Sequence, residues 1–357
     1  MTVRGSRQDA ERELIRFQAM HLEPQPTTIT VSELFSRWIE APTRSLRARA
    51  STTEYHERNR FERYVRPTFG DWRARDVTSA DLTLFYDRLR TGAGISPMSV
   101  RHVHAMIRRM YNWGLNRGLV RENPANSAEA PSVVQRAPRV PDTDVVRCHL
   151  ELLCRSCDVL GVAVMLDVTF GLRRSELAGL RWCHLDLELA KISIREGVTQ
   201  VPGVGLTVTQ TKTGHQGFAD FVIPEPLLES LRTHREYQEK LCADAGVEFP
   251  AEGYVLWSDP YSGQGLRPDS FTQAMRRHCE RHPELPRVTI KQLRAFVYSS
   301  LRELGFEEMT ASAVLRDQPE TTARHYAGAS RKRVTVALRT HASQILGGPE
   351  TPQVVQA

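Results

Sequence analysis

A run of prolines between Asn123 and Pro141 (Pro124, Pro131, Pro138 and Pro141) constrains this chain more than any other feature. Proline removes a backbone donor and fixes φ, so a stretch punctuated this way carries no helical period and reads as a linker. The chain of 357 residues therefore divides into two folding units, as its length alone suggests. We place a helical N-terminal extension at 1–26, a helical domain at 27–122, the linker at 123–141, a larger domain at 142–346 and a disordered tail at 347–357. The two sides of the linker differ in charge. Residues 27 to 125 hold 17 arginines, no lysine and 10 acids, a surplus of seven, whereas the whole chain has a formal charge of +6. The basic face thus belongs to the first domain, and a polyanionic partner is expected there.

The first domain reads as four helices. Thr30 is placed to cap one through Ile39, with Leu34, Phe35, Trp38 and Ile39 on one face. Ser51 opens a second that Pro67-Thr68-Phe69-Gly70 should end. Thr78 caps a third through Leu89. A fourth runs from Ser96 to Arg117, its buried stripe formed by Val100, Val103, Ile107, Tyr111 and Leu115. Arg101, Arg108 and Arg109 fall off that stripe, either as solvated arginines or as phosphate contacts.

After the linker, helices are expected from Asp142 to Ser156, on through Phe170, and from Ser175 to Trp182. Three strand-like runs follow (Lys191–Ile194, Leu206–Thr209 and Phe218–Ile223), broken by Gly203, Gly205, Gly214 and Gly217, which suggests one small antiparallel meander. The rest is helical at 226–243, 268–282, 289–304, 307–316 and 330–345. The fold class is thus mainly α with a small antiparallel β-sheet, an α+β arrangement. No apolar run reaches the ~18 residues of a membrane span, and the charged N-terminus gives no signal peptide, so a cytoplasmic protein is expected. Cys154-Arg155-Ser156-Cys157 is a lone CxxC in an apolar helical run; buried reduced thiols are expected rather than a zinc site.

Only five of the 48 basic residues are lysines. Where arginine serves as the general-purpose cation, a lysine that persists is one whose ammonium can give up a proton. Lys212 and Lys291 are two of the five, and both lie in notable surroundings. Gly171-Leu172-Arg173-Arg174-Ser175-Glu176-Leu177 opens a helix, with Arg173 three residues before Glu176. Gln210-Thr211-Lys212-Thr213-Gly214 lies at the tip of two strands. Lys291-Gln292-Leu293-Arg294 lies within a helix. Tyr326 closes Leu315-Arg316-Asp317-Gln318-Pro319-Glu320-Thr321-Thr322-Ala323-Arg324-His325. Taken singly, each has an ordinary explanation: a surface ion pair, a turn lysine, a solvated stripe, a core tyrosine. It is their joint order that carries a signal.

In that order they resemble the tyrosine recombinases, the phage-integrase family. Thr169 to Trp182 looks like the family's first arginine box, Thr211-Lys212-Thr213 like its hairpin lysine, and Lys291-Gln292-Leu293-Arg294 like its His-x-Leu-Arg box. Leu315-Arg316-Asp317 stands in the place of Leu-Gly-His, and Tyr326 follows Asp317 at the family's spacing of nine residues. Residues from 27 onward are covered, the first domain resembling the helical core-binding, SAM-like domain. The resemblance implies a catalytic domain paired with that domain as a C-shaped DNA clamp, and a site-specific recombinase that cleaves and rejoins double-stranded DNA. It implies a homotetramer on DNA, with accessory DNA-bending proteins as further partners, in the nucleoid-associated cytoplasm, and neither cofactor nor metal. Arg173 and Arg294 would hold non-bridging phosphate oxygens, with Lys291 beside them. Tyr326 would be the nucleophile, giving a 3′-phosphotyrosyl link, and Lys212 would protonate the leaving 5′-oxygen. Glu176 would support the arginines.

Asp317 departs from the pattern. A carboxylate ~4 Å from a phosphate charge repels it by roughly 4 kcal/mol at an effective dielectric of 20. Either Asp317 pairs with Arg316 or Arg324, with His325 as substitute donor, or the site is attenuated. The alternative to a recombinase is a catalytically impaired, recombinase-fold DNA-binding protein.

Overall fold

The computed structural model describes residues 29–42, 51–133, 139–156, 158–210, 219–257, 259–262, 264–316 and 331–347. Two compact units emerge, Met1–Arg136 and Ala137–Ala357. The helix expected over 6–20 lies outside the described residues.

In the first unit, α1 (Val31–Glu40) begins at Thr30, whose hydroxyl accepts the Glu33 N–H while the Glu33 carboxylate takes the Thr30 N–H. Helix α2 (Ser51–Arg60) was expected to stop at Pro67. Instead it passes into a π-helical turn, Phe61–Val65, and then a further turn, α3 (Arg66–Phe69). The Arg66 N–H bonds Phe61 O five residues back. That widening makes room for Pro67, whose ring would clash with the carbonyl four residues earlier in a regular helix. The chain turns at Gly70, where a β-carbon would meet Arg66 O at 2.7 Å and Ser32 Oγ at 2.9 Å. Helix α4 (Ser79–Thr91) carries a second capping box, from Thr78 and Asp81, and α5 (Pro97–Leu115) starts at the cap Ser96. Val100, Val103, Ile107 and Tyr111 are buried as expected, and Met106 and Met110 join them. Leu115, expected in the stripe, is 39% exposed because the helix ends there and turns outward at Asn116. Phe35 and Phe61 stack at 3.9 Å in the middle of this core.

The second unit is built round α7 (Val159–Phe170), which follows α6 (Thr143–Ser156). Helix α7 is apolar on all sides and is covered accordingly. Helix α8 is short, Arg174–Gly179, ending three residues before Trp182. Leu180 is extended there, and the chain is tied off by Trp182 N–H to Gly253 O and Val255 N–H to Leu180 O.

Among the described residues the strands form two sheets, not the single meander expected. β1 (Leu185–Asp186), β2 (Lys191–Ile194) and β5 (Ala219–Val222) form one antiparallel sheet in the order β1-β2-β5, with Ile192 opposite Phe221. β3 (Glu196–Val201) and β4 (Gly205–Gln210) form a separate hairpin whose turn uses Gly203 and Gly205 at positive φ. Sequence patterning passed over β3 because Gly197 weakens it as a strand. Its glycine serves another purpose: a β-carbon on Gly179 would lie 2.9 Å from Gly197 Cα, so the two glycines let α8 rest on the hairpin.

Helices α9 (Glu225–Asp244), α10 (Pro268–Arg281), α11 (Ile290–Glu303), α12 (Glu308–Leu315) and α13 (Arg331–Leu346) complete the unit. Cys154 is exposed rather than buried, although its thiol reaches Met165 Sδ at 3.8 Å, and Cys157 lies outside the described residues. No described helix is long and apolar enough to cross a membrane.

Candidate active site

Four chain segments converge at the C-terminal end of α7. Gly171 caps that helix in the left-handed conformation, φ 55°. A β-carbon there would run into Leu315 Cδ2, which would have to shift, and the left-handed backbone also favours glycine. The turn delivers Arg173 to the N-cap of α8 in an extended conformation. Arg173 thus precedes the helix rather than lying within it, yet it keeps the i,i+3 ion pair with Glu176. Glu176, at the third helical position, reaches back: Oε2 accepts the Arg173 backbone N–H at 3.0 Å and Oε1 accepts its Nη1 at 2.6 Å. The Arg173 side chain is 22% exposed and that of Glu176 only 2%.

Arg294, on α11, donates from Nη1 to Gly171 O and from Nη2 to Leu315 O at 2.6 Å. Arg173 Nη2 donates to Arg316 O at 3.2 Å. Both guanidiniums thus donate to adjacent carbonyls at the end of α12, while Arg294 also holds Gly171 O and Arg173 also holds Glu176. Lys291 is exposed on α11, one turn before Arg294. Lys212, Asp317, His325 and Tyr326 lie outside the described residues. Arg101, Arg108 and Arg109 are exposed on α5, and each has a partner in its own unit. Arg109 Nη2 contacts Glu57 Oε1 at 2.5 Å, Arg108 Nε contacts Asn126 Oδ1 at 3.2 Å, and Arg101 Nη1 reaches Pro131 O at 3.4 Å.

Two residues escaped the sequence reading. Arg316 was considered only as a partner for Asp317, yet its side chain is 2% exposed and its Nη2 donates to Glu176 Oε2 at 2.8 Å. The available signal was an arginine in the place of the glycine of Leu-Gly-His. Asp167, one turn before Gly171, is fully buried, and among the described residues no side-chain donor bonds either carboxylate oxygen. A lone acid in the apolar run of α7 was the signal there.

The charges are balanced by burial against guanidinium fields. Burial works against ionisation of Glu176, but Arg316, the Arg173 N–H and the Arg173 guanidinium outweigh it and hold the carboxyl below its usual range. Burial lowers the Arg316 pKa, opposed by Glu176 and reinforced by Arg294; an arginine so far from neutrality stays charged. For Asp167 burial dominates and drives the carboxyl well above the usual range, although Arg294 and Arg316 pull it back. A guanidinium-rich surface over a buried, ionised glutamate can bind an oxyanion and spread its charge. Among the described residues no group of three or more His, Cys, Asp or Glu side chains is placed to hold a metal ion.

The fold is one shared with solved DNA integrases. A Tn1549 transposon integrase, solved with circular-intermediate DNA, superposes with TM-score 0.66 at 15% identity, covering 86% of this chain and 98% of that one. A lambda integrase dimer on a COC′ core site gives TM-score 0.54 at 12% identity, covering 85% and 99%. In sequence, the tyrosine recombinase XerC of Xylella fastidiosa (strain M23) is 32% identical over 103 residues, 28% of this chain and 35% of that protein. The ICEBs1 integrase of Bacillus subtilis (strain 168) is 22% identical over 206 residues, 57% of this chain and 54% of the relative. The chain thus spans about a third to a half of the length of these curated relatives. No family model matches. These likenesses in sequence and in fold are to proteins named tyrosine recombinase or integrase.

Proposed function

We propose that this chain is a site-specific DNA recombinase of the integrase type, cleaving and rejoining duplex DNA through a 3′-phosphotyrosyl intermediate. The observation that carries the reading is the common anchoring of Arg173 and Arg294 on adjacent carbonyls, Arg316 O and Leu315 O, at the end of α12, with Glu176 ionised behind Arg173. Two forked, permanently charged donors referenced to one frame suit the two non-bridging oxygens of a phosphodiester.

In this reading the Tyr326 oxygen attacks phosphorus and the 5′-oxygen leaves with a proton from Lys212. The phosphotyrosyl ester keeps the energy of the broken bond, and a second 5′-hydroxyl reverses the step, so no nucleotide is hydrolysed. Lys291, one turn from Arg294, adds a donor to the same phosphate. Asp317, where the resemblance expects His or Trp, repels that phosphate and slows the reaction, with His325 as the nearest replacement donor. Arg101, Arg108 and Arg109 of the first unit contact the DNA backbone. Exchange between two duplexes calls for four copies on DNA, as in the lambda integrase tetramer on a Holliday junction, with accessory DNA-bending proteins as further partners and the cytoplasmic nucleoid as the setting.

The test is a duplex selected by the protein from a random pool and then nicked beside the cleavage position, so that the released strand cannot return. A covalent adduct absent in Tyr326→Phe supports the recombinase. Site-selective binding without any adduct points instead to a DNA-binding protein with a disabled site.

A further inference from the structure

The inference rests on the phosphate-binding reading of Arg173 and Arg294 and concerns what holds them. Arg316 is one of two non-glycine residues at positive φ among the described residues, φ 54° at the C-cap of α12. Glycine would adopt that conformation freely. An arginine there needs a compensating role, and its surroundings supply one. With a side chain only 2% exposed it cannot itself meet an anion. Its guanidinium instead reaches three pieces of the site. Nη2 donates to Glu176 Oε2 at 2.8 Å and Gly171 O at 3.3 Å, while Nη1 donates to Val314 O at 2.9 Å and Phe170 O at 3.3 Å. The face of Phe221 lies 5.6 Å from its Cζ.

Two of these partners, Glu176 and Gly171 O, bear directly on Arg173 and Arg294. Glu176 shares its carboxylate between Arg316 and Arg173, one oxygen principally to each. Gly171 O accepts from both Arg316 and Arg294. Arg173 donates back to Arg316 O. The result is a closed ring of donors and acceptors in which a buried third guanidinium fixes the acceptors that aim the other two. A lysine cannot reproduce this, because one ammonium lacks the planar fork needed to hold a carboxylate and carbonyls from two segments together.

We propose that Arg316 is a positioning residue of the phosphate site: its guanidinium fixes Glu176 and the Gly171 carbonyl and thereby sets the orientation of Arg173 and Arg294 toward the bound oxyanion.

The test uses the full chain and inorganic vanadate, a tetrahedral oxyanion whose binding is followed by vanadium NMR. The reading is confined to the part of binding that Arg294→Ala removes. Arg316→Gly suits the left-handed backbone, and Arg316→Lys keeps the charge. Arg316→Gly should weaken the Arg294-dependent binding about tenfold, the effect of losing one charge-assisted contact, with helical content unchanged. Arg316→Lys should remain weakened; if Arg316→Gly fails to fold, the lysine variant decides. Variants that melt earlier yet bind vanadate with wild-type affinity would overturn the positioning role while leaving the phosphate site standing. Wild-type binding with no Arg294-dependent part would sink the phosphate site and the positioning role with it.

Discussion

Arginine pairs of two kinds, solvated and buried, can be compared across the units. In the first unit two arginines pair with acids one helical turn away in full view of solvent: Arg58 with Glu54 at 2.9 Å, Arg66 with Glu62 at 2.7 Å, the latter with side chains 61% and 53% exposed. Such pairs add little stability and leave the charge available to a polyanion. In the second, Arg316 and Glu176 are both 2% exposed and cannot reach solvent, so their pairing fixes geometry at a cost in desolvation. The contrast separates attraction from aim. Solvated arginines draw a phosphate backbone in, whereas buried ones hold a few donors still.

The contrast is broken hardest at Glu176. Glu176→Ala leaves Arg316 buried without its counter-ion and should cost roughly 3–5 kcal/mol in denaturant unfolding of the full chain. A loss under about 1 kcal/mol would mean the pair is as weak as those of the first unit. Gly171→Ala comes next. A β-carbon meeting Leu315 Cδ2, in a left-handed residue, should cost roughly 3 kcal/mol and move Arg173 and Arg294 as well.

Acid should weaken the second unit through buried histidines. His341, between Ser300 Oγ and Val168 O, is held by burial at a pKa of about 4, and His278, beside His149, likewise. A depressed pKa gives stability that is present above pH ~6.5 and lost as pH falls toward about 4. For His341 this amounts to roughly 3 kcal/mol, and unfolding free energies measured from pH 7 to 4 should show a slope that His341→Gln reduces.

Asp167 should act with the opposite sign. Its raised pKa gives stability that is present below the ordinary aspartate range and lost as pH rises toward the folded value. Asp167→Asn should therefore unfold later than wild type at pH 8, with the gap closing as pH falls to 4. A variant no more stable at pH 8 would show that the guanidiniums of Arg294 and Arg316 keep the acid ionised. The smallest effect belongs to the first unit. Arg58→Ala should change stability by no more than about 0.5 kcal/mol.

The helices of both units were legible because their caps and apolar stripes are local: Thr30 and Thr78 cap where expected, and the helix expected to start near Ser96 does so. What patterning missed depends on contacts between distant segments. The hairpin β3–β4 is masked by Gly197, whose reason is Gly179 on another element. Pro67 reads as a stop because the π-helical turn that relieves it is invisible in composition. At the candidate site, motif order picked out Arg173, Glu176, Lys291 and Arg294, and the described residues bring Arg173, Glu176 and Arg294 onto one frame. Arg316 and Asp167 escaped because their significance lies in burial, which one residue's neighbours in sequence do not report.

The most direct test of the account is to trap the protein on its nicked duplex, digest it and identify by mass spectrometry the residue that carries DNA. The account predicts a single 3′-phosphoryl adduct on Tyr326, formed far more slowly when Arg173 or Arg294 is replaced by Ala. DNA attached to any other residue, or attachment to Tyr326 at an undiminished rate in both arginine variants, would contradict it.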